Sequence, residues 1–167
     1  MIKKIFPFLV WSFIYASCAY AQIGTSVKAF KAGSFARAEG FTLQGSYLIT
    51  EDPAFEGKYA YNFFTEDNRY RIQLIADKKG NNIVFEYLMY PFAEDPDLAM
   101  KDGSIAISFV SQASAQAVTP DEFVSLVSEA NKGAPNVRYT KVIRGYTVSM
   151  TRHRTEILTG WSIGVRR

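Results

Sequence analysis

The chain has little of what holds small proteins together covalently or through a metal. Its only cysteine is Cys18 and its only histidine is His153. With no second cysteine there is no intrachain disulfide, so packing alone must hold the fold. One histidine without cysteines beside it rules out a zinc site of the Cys/His kinds. No asparagine opens an N-x-Ser/Thr sequon, so nothing supports N-glycosylation or a eukaryotic secretory context. No repeat or low-complexity tract is visible. Neither a metal nor a cofactor is implied.

The longest apolar run lies at the N-terminus. Lys3 and Lys4 precede an apolar stretch from Ile5 through Tyr15, which leads to small residues and Ala19-Tyr20-Ala21 before Gln22. This is the layout of a secretory signal peptide with an Ala-x-Ala cleavage site. The expected organisation is a leader over residues 1–21, cleaved after Ala21, and one exported domain over residues 22–167. The protein would then be periplasmic or secreted, in a bacterial envelope. Two rival fates exist for the leader. Tyr15-Ala16-Ser17-Cys18 loosely resembles a lipoprotein cleavage box, with tyrosine where an aliphatic residue belongs. The run could also stay as an anchor, against which Pro7 and its shortness argue. Membrane contact is therefore expected only peripherally or through a lipidated Cys18.

Charge is nearly balanced overall but uneven along the chain. Setting aside Lys3 and Lys4 leaves 17 basic residues against 16 acidic ones. Glu51 to Asp102 carries 11 acidic and 6 basic residues, whereas Lys132 to Arg167 carries 8 basic residues and only Glu156. The simpler interpretation is that the two parts are neighbours and complement each other. The sharper one is a basic C-terminal face for an anionic partner. So small a net charge on an exported chain argues against nucleic acid as the partner.

Periodicity predicts an α+β fold. Thr25 or Ser26 could cap a short helix with Val27 and Phe30 facing inward, interrupted by Gly33. Strands are predicted at Thr42 to Ile49, Tyr59 to Phe64, Tyr70 to Ala76 and Ile83 to Tyr90. In the second, Tyr59, Tyr61 and Phe63 share a face; in the third, Ile72, Leu74 and Ala76 do. Asp77 to Asn82 reads as a hairpin connection. Pro91 to Gly103 reads as an acidic loop, followed by a strand at Ile105 to Ser111. Thr119-Pro120-Asp121-Glu122 is a capping box with proline at the first helical position. Phe123, Leu126, Val127 and Ala130 then follow at amphipathic spacing, and Gly133 stands where a left-handed cap belongs. Three more strands are predicted: Val137 to Ile143, Tyr146 to Arg152 and Ile157 to Val165. The expected fold is a largely antiparallel, curved sheet of about seven to eight strands with one well-capped amphipathic helix, Pro120 to Lys132, packed on it.

Gly160-Trp161-Ser162-Ile163-Gly164 matches the nucleophile elbow of α/β-hydrolases, but no helix, acid or histidine follows it, and the alternation is that of a plain strand. Ser162 is therefore not expected to be catalytic, and no catalytic residue is named. His153, between Arg152 and Arg154, is expected at a hairpin tip as a solvated residue, its pKa lowered by the flanking arginines. The three together form a candidate basic tip for an anionic group. Glu94, Asp95, Asp97 and Asp102 do not match a calcium loop. Glycoside cleavage would need two convergent carboxylates from among Glu39, Glu51, Asp52, Glu56 and Glu86. Glu86 interrupts an apolar strand, so it should face outward or pair with an arginine. Tyr59, Tyr61, Phe85 and Tyr87 are the candidate aromatic ligand-binding face. The aromatic concentration around them would suit a curved sheet enclosing a hydrophobic ligand, with the helix at Pro120 to Lys132 as its lid.

These observations favour a non-catalytic envelope binding protein for a lipid, a glycan or a protein partner. An acid-residue hydrolase of cell-wall glycans and a small outer-membrane barrel of about eight strands are the alternatives.

Overall fold

The computed structural model describes residues 23–156 and 158–167; the expected leader, its expected cleavage site and Cys18 lie outside the described residues. Two short helices, α1 (Val27–Ala32) and α2 (Ser34–Ala38), come first. Ser26 caps α1 by accepting from the Ala29 amide, and Val27 and Phe30 point into the core, as the spacing predicts. A meander follows: β1 (Thr42–Leu48), a 3-10 turn at Pro53–Phe55, β2 (Tyr59–Phe64), β3 (Arg71–Ala76) and β4 (Phe85–Pro91). Two long helices, α3 (Pro96–Ala113) and α4 (Pro120–Lys132), separate it from β5 (Arg138–Ile143), β6 (Tyr146–Arg154) and β7 (Thr159–Arg166).

All seven strands pair antiparallel in the order β1-β2-β3-β4-β7-β6-β5, a curved α+β sheet whose two halves join where β7 lies against β4. The edge strands β1 and β5 are not neighbours, so the sheet is not closed, and the barrel reading falls. The strands are six to nine residues long, whereas a membrane strand needs about 9–11. No helix among the described residues is long and apolar enough to cross a membrane.

The helices cover one face of the sheet. Ile72, Leu74, Leu88, Ile163 and Val165 are fully buried against Phe30, Phe109 and Leu126. Phe30 meets Phe63 edge-on at 4.9 Å. A core of this kind buries roughly 1.5–3 kcal/mol per large side chain, so a fold of this size needs no disulfide.

Three expectations are corrected. Residues 105–111 form no strand: they belong to α3, whose buried Ile105, Ala106, Phe109, Val110 and Ala113 recur at helical spacing. The expected acidic loop is largely the start of that helix. Asp95 is its N-cap, accepting from the Asp97 and Leu98 amides at 2.8 and 3.1 Å, with Pro96 in the first turn. The sheet thus carries two long helices where one was expected. The capping box of α4 is present as predicted, with Thr119 and Glu122 exchanging bonds. Gly133, however, is extended at φ −82° and ψ 178°. Glycine is needed there for space, because the Tyr139 ring occupies the position a Cβ would take.

Candidate functional site

Among the described residues, no helix covers the opposite face of the sheet. Register places its side chains in rows running across six strands. One row reads Asn62, Gln73, Tyr87, Gly164, Ser149 and Thr140 from β2 to β5. The next, two residues along each strand, reads Ala60, Ile75, Phe85, Arg166, Thr147 and Val142. On the other side stand Phe64, Arg71, Met89, Ser162, Thr151 and Arg138.

The segment from Leu48 to Phe55 folds over part of this surface and makes a groove of about 710 Å³. Its floor and walls include Tyr47, Phe55, Gln73, Phe85, Tyr87, Thr140, Thr147, Ser149, Arg138 and Arg166, with Glu51 and Asp52 at the loop. No residue of the four α-helices lines it. Phe55 packs on Phe85 at 5.3 Å, and Phe85 stacks with Tyr87 at 6.0 Å. Phe85 lies across Gly164, where a Cβ would press on its ring and on Ser149 Oγ, at 2.8 and 2.7 Å. Glycine there lets the aromatic pair lie down on the sheet. Gln73 Nε2 donates to Tyr47 Oη at 3.0 Å and to Asn62 Oδ1 at 3.1 Å, which orders one wall.

The predicted aromatic face is split. Phe85 and Tyr87 line the groove, but Tyr59 and Tyr61 point to the helix side, where Tyr61 Oη donates to the carbonyls of Asp77 and Lys78. Burial, and then the charge of Asp77, raise the Tyr61 pKa. The expected lid is also corrected. Helix α4 covers the packed face and the groove opens on the other, so α4 cannot close it.

The basic tip is split too. Arg152, His153 and Arg154 are the last residues of β6 rather than a turn, so they alternate in direction. Arg152 and Arg154 stand on the helix side; His153 stands on the open side, diagonal to Ser162. His153 Nε2 and Ser162 Oγ share a hydrogen bond of 2.7 Å. Burial first, and the charge of Arg138 second, hold the His153 pKa below its ordinary value; the flanking arginines are not the cause.

This serine–histidine pair was not legible in the sequence, where the two residues stand nine apart. It lacks the rest of a hydrolytic site. Ser162 is 2% exposed and lies within a paired strand, so its backbone amide is not free to serve as an oxyanion donor. Among the described residues no carboxylate is bonded to His153 to orient it. The histidine satisfies a buried hydroxyl.

The carboxylates are dispersed. Asp52 caps the 3-10 turn and Glu51 sits beside it on the groove loop. Glu86 faces neither solvent nor an arginine. It is 0% exposed on the helix side, in register with Leu74 and Val165, and neither carboxyl oxygen has a hydrogen-bond partner among the described residues. Desolvation holds its pKa well above the ordinary glutamate value. It stands on the opposite face from Glu51 and Asp52, which removes it from any carboxylate pair in the groove. Asp102 is a buried helix residue. Arg69 grips it through Nε and Nη2 at 3.2 and 2.6 Å, and Tyr70 Oη donates to it at 2.6 Å. Burial and then the bond to Asp102 push the Tyr70 pKa up to about 12.

Two ion pairs occur among the described residues, Arg69–Asp102 and Arg144–Glu122. Neither joins the acidic stretch 51–102 to the basic stretch 132–167, although the two are neighbours: β4 pairs with β7, and Glu51 and Asp52 line the same groove as Arg138 and Arg166. No group of acidic or histidine side chains among the described residues could hold a metal ion. Comparison with protein-family models, curated proteins and solved structures gives no match.

Proposed function

We propose that this chain is an exported, non-catalytic binding protein of the bacterial envelope, and that it holds an acidic glycan in the open-face groove. Export rests on Lys3-Lys4, the apolar run and Ala19-Tyr20-Ala21. The observation that carries the binding role is the composition of the one sheet face without a helix layer. The stacked Phe85–Tyr87 pair offers flat apolar surface for the C–H face of a sugar ring. Gln73, Ser149, Thr140 and Thr147 offer hydroxyl and amide partners in register beside it, and Arg166 and Arg138 on the sheet offer positive charge, with Glu51 and Asp52 confined to the loop. So polar a lining suits a glycan better than an acyl chain. The serine–histidine contact adds no chemistry here, since Ser162 is out of a ligand's reach.

Native and then denaturing mass spectrometry of the protein purified from the envelope without detergent tests this reading. A polypeptide starting at Gln22, with a native mass excess that is lost on denaturation and fragments as sugar, is expected. A retained or acylated leader would overturn cleavage after Ala21. A bare native mass that stays bare after incubation with acidic oligosaccharides would overturn the glycan.

A further inference from the structure

On the helix side, residues of α3, α4, β4, β6 and β7 line a second cleft of about 420 Å³. Ala106, Ile107, Phe123, Val127, Phe92 and Trp161 make it apolar, and Arg152 and Arg154 stand in its wall. Its one acidic wall residue, Asp102, is already neutralised by Arg69. The cleft shares no lining residue with the open-face groove.

Two observations suggest that the cleft is kept open for an occupant. Gly103 lies in the interior of α3, where glycine costs about 1 kcal/mol relative to alanine. No packing reason explains it: a Cβ at Gly103 would meet nothing within 4 Å, and φ there is not positive. The glycine faces the cleft and leaves room in it. The second observation is charge. Arg152 Nη2 donates to the Gly133 carbonyl at 2.8 Å, but its buried Nε has no partner, and Arg154 is exposed and makes no ion pair among the described residues. Arg152 reaches Gly133 and the Arg154 backbone is bonded to Asn136, so both residues stand at the end of the cleft where α4 finishes. Phe123 lies eight residues before Asn131 on the same wall, about 12 Å away at 1.5 Å per residue. The cleft is thus cationic at one end and apolar for the rest of its length.

We infer that this cleft binds a single-chain anionic amphiphile, a free fatty acid. The carboxylate would sit at Arg152 and Arg154, and the chain would run between α3 and α4 past Gly103. A carboxylate there would be a counter-ion for both Arg152 and Arg154. The inference does not rest on the glycan reading.

The test is calorimetric titration of the purified full chain with dodecanoate below its micelle concentration, against dodecyltrimethylammonium as an amphiphile of equal chain and opposite head. Saturable one-to-one dodecanoate binding is expected, with no comparable binding of the cation. Gly103→Leu fills the cleft and should weaken dodecanoate by about tenfold or more, and Arg154→Ala by several-fold. Tyr87→Ala, in the other groove, should leave it unchanged. Leucine is a better helix former than glycine, so thermal unfolding of Gly103→Leu shows whether the variant is folded. The inference is overturned by the absence of saturable dodecanoate binding, by equal binding of the cation, or by indifference to Gly103→Leu in a folded variant. Loss of binding in Tyr87→Ala would overturn it by moving the site to the open face.

Discussion

Glu86 makes stability fall as pH rises. It lies between Leu74 and Val165 in the packed face, 0% exposed, with both carboxyl oxygens unpartnered among the described residues. Desolvation favours the neutral acid, so its folded pKa stands well above the unfolded glutamate value of about 4.3. Below that unfolded value both states hold the proton, and the group adds no pH dependence. Between the unfolded and folded values only the folded state holds it, and stability falls by about 1.4 kcal/mol per pH unit. Glu86→Met removes both the titration and an unsatisfied carboxyl, whose burial costs about 1–3 kcal/mol even when neutral. The methionine variant should be more stable than the parent at pH 5, and its advantage should widen between pH 5 and pH 7. Glu86→Gln removes the titration but not the unpartnered polar atoms, so it should share the pH trend with a smaller gain. Urea unfolding of all three proteins at pH 4, 5.5 and 7 measures this, and the difference from the parent cancels every other titrating group. A difference independent of pH, or a methionine variant less stable than the parent, would refute the reasoning.

Other substitutions test the packing. Arg69→Met leaves the Asp102 carboxylate buried with only Tyr70 to satisfy it, and should cost about 3–5 kcal/mol in urea unfolding at neutral pH. Phe123→Ala should cost about 3–5 kcal/mol, since the ring is buried under α4; a loss well under 1 kcal/mol would mean that α4 does not pack as described. Gly103→Ala should raise stability by roughly 0.5–1 kcal/mol, because its methyl enters open space in a helix interior.

Much of the sheet could be read in the sequence because strand alternation and turn residues are local signals. Tyr59 to Phe64, Tyr70 to Ala76 and the Asp77 to Asn82 connection needed no tertiary information, and the Thr119 capping box announced α4. Helix α3 was hidden by two features. Gly103 reads as a loop residue, and Ile105-Ala106-Ile107-Ser108-Phe109 alternates like a strand, although the same residues also fall at helical spacing. Asp95-Pro96-Asp97 repeats the chemistry of Thr119-Pro120-Asp121, which was the available sign of a helix start.

The grouping of the candidate site residues was hidden for a different reason. Which face a strand residue occupies depends on register with its neighbours, and one residue of slip reverses it. Glu86 is in phase with Leu88 and Tyr90, which are buried, while Phe85 and Tyr87 are in phase with the open face. Within β4 the only charge, Glu86, points to the wrong phase: it marks its own half of the alternation as the exposed one, yet that half is buried. Arg152, His153 and Arg154 failed as a cluster because β6 continues through them, and consecutive strand residues cannot converge.

The central claim is that the open face between the Leu48 to Phe55 segment and β5 is a binding site. Titration of isotope-labelled protein with an oligogalacturonate, followed by amide chemical shifts, tests it most directly. The account predicts saturable shifts confined to residues lining the groove, among them Gln73, Tyr87, Ser149 and Arg166, with at least about tenfold weaker binding in Tyr87→Ala. Absence of saturable shifts, or shifts that map to the α3–α4 side and persist in Tyr87→Ala, would contradict it.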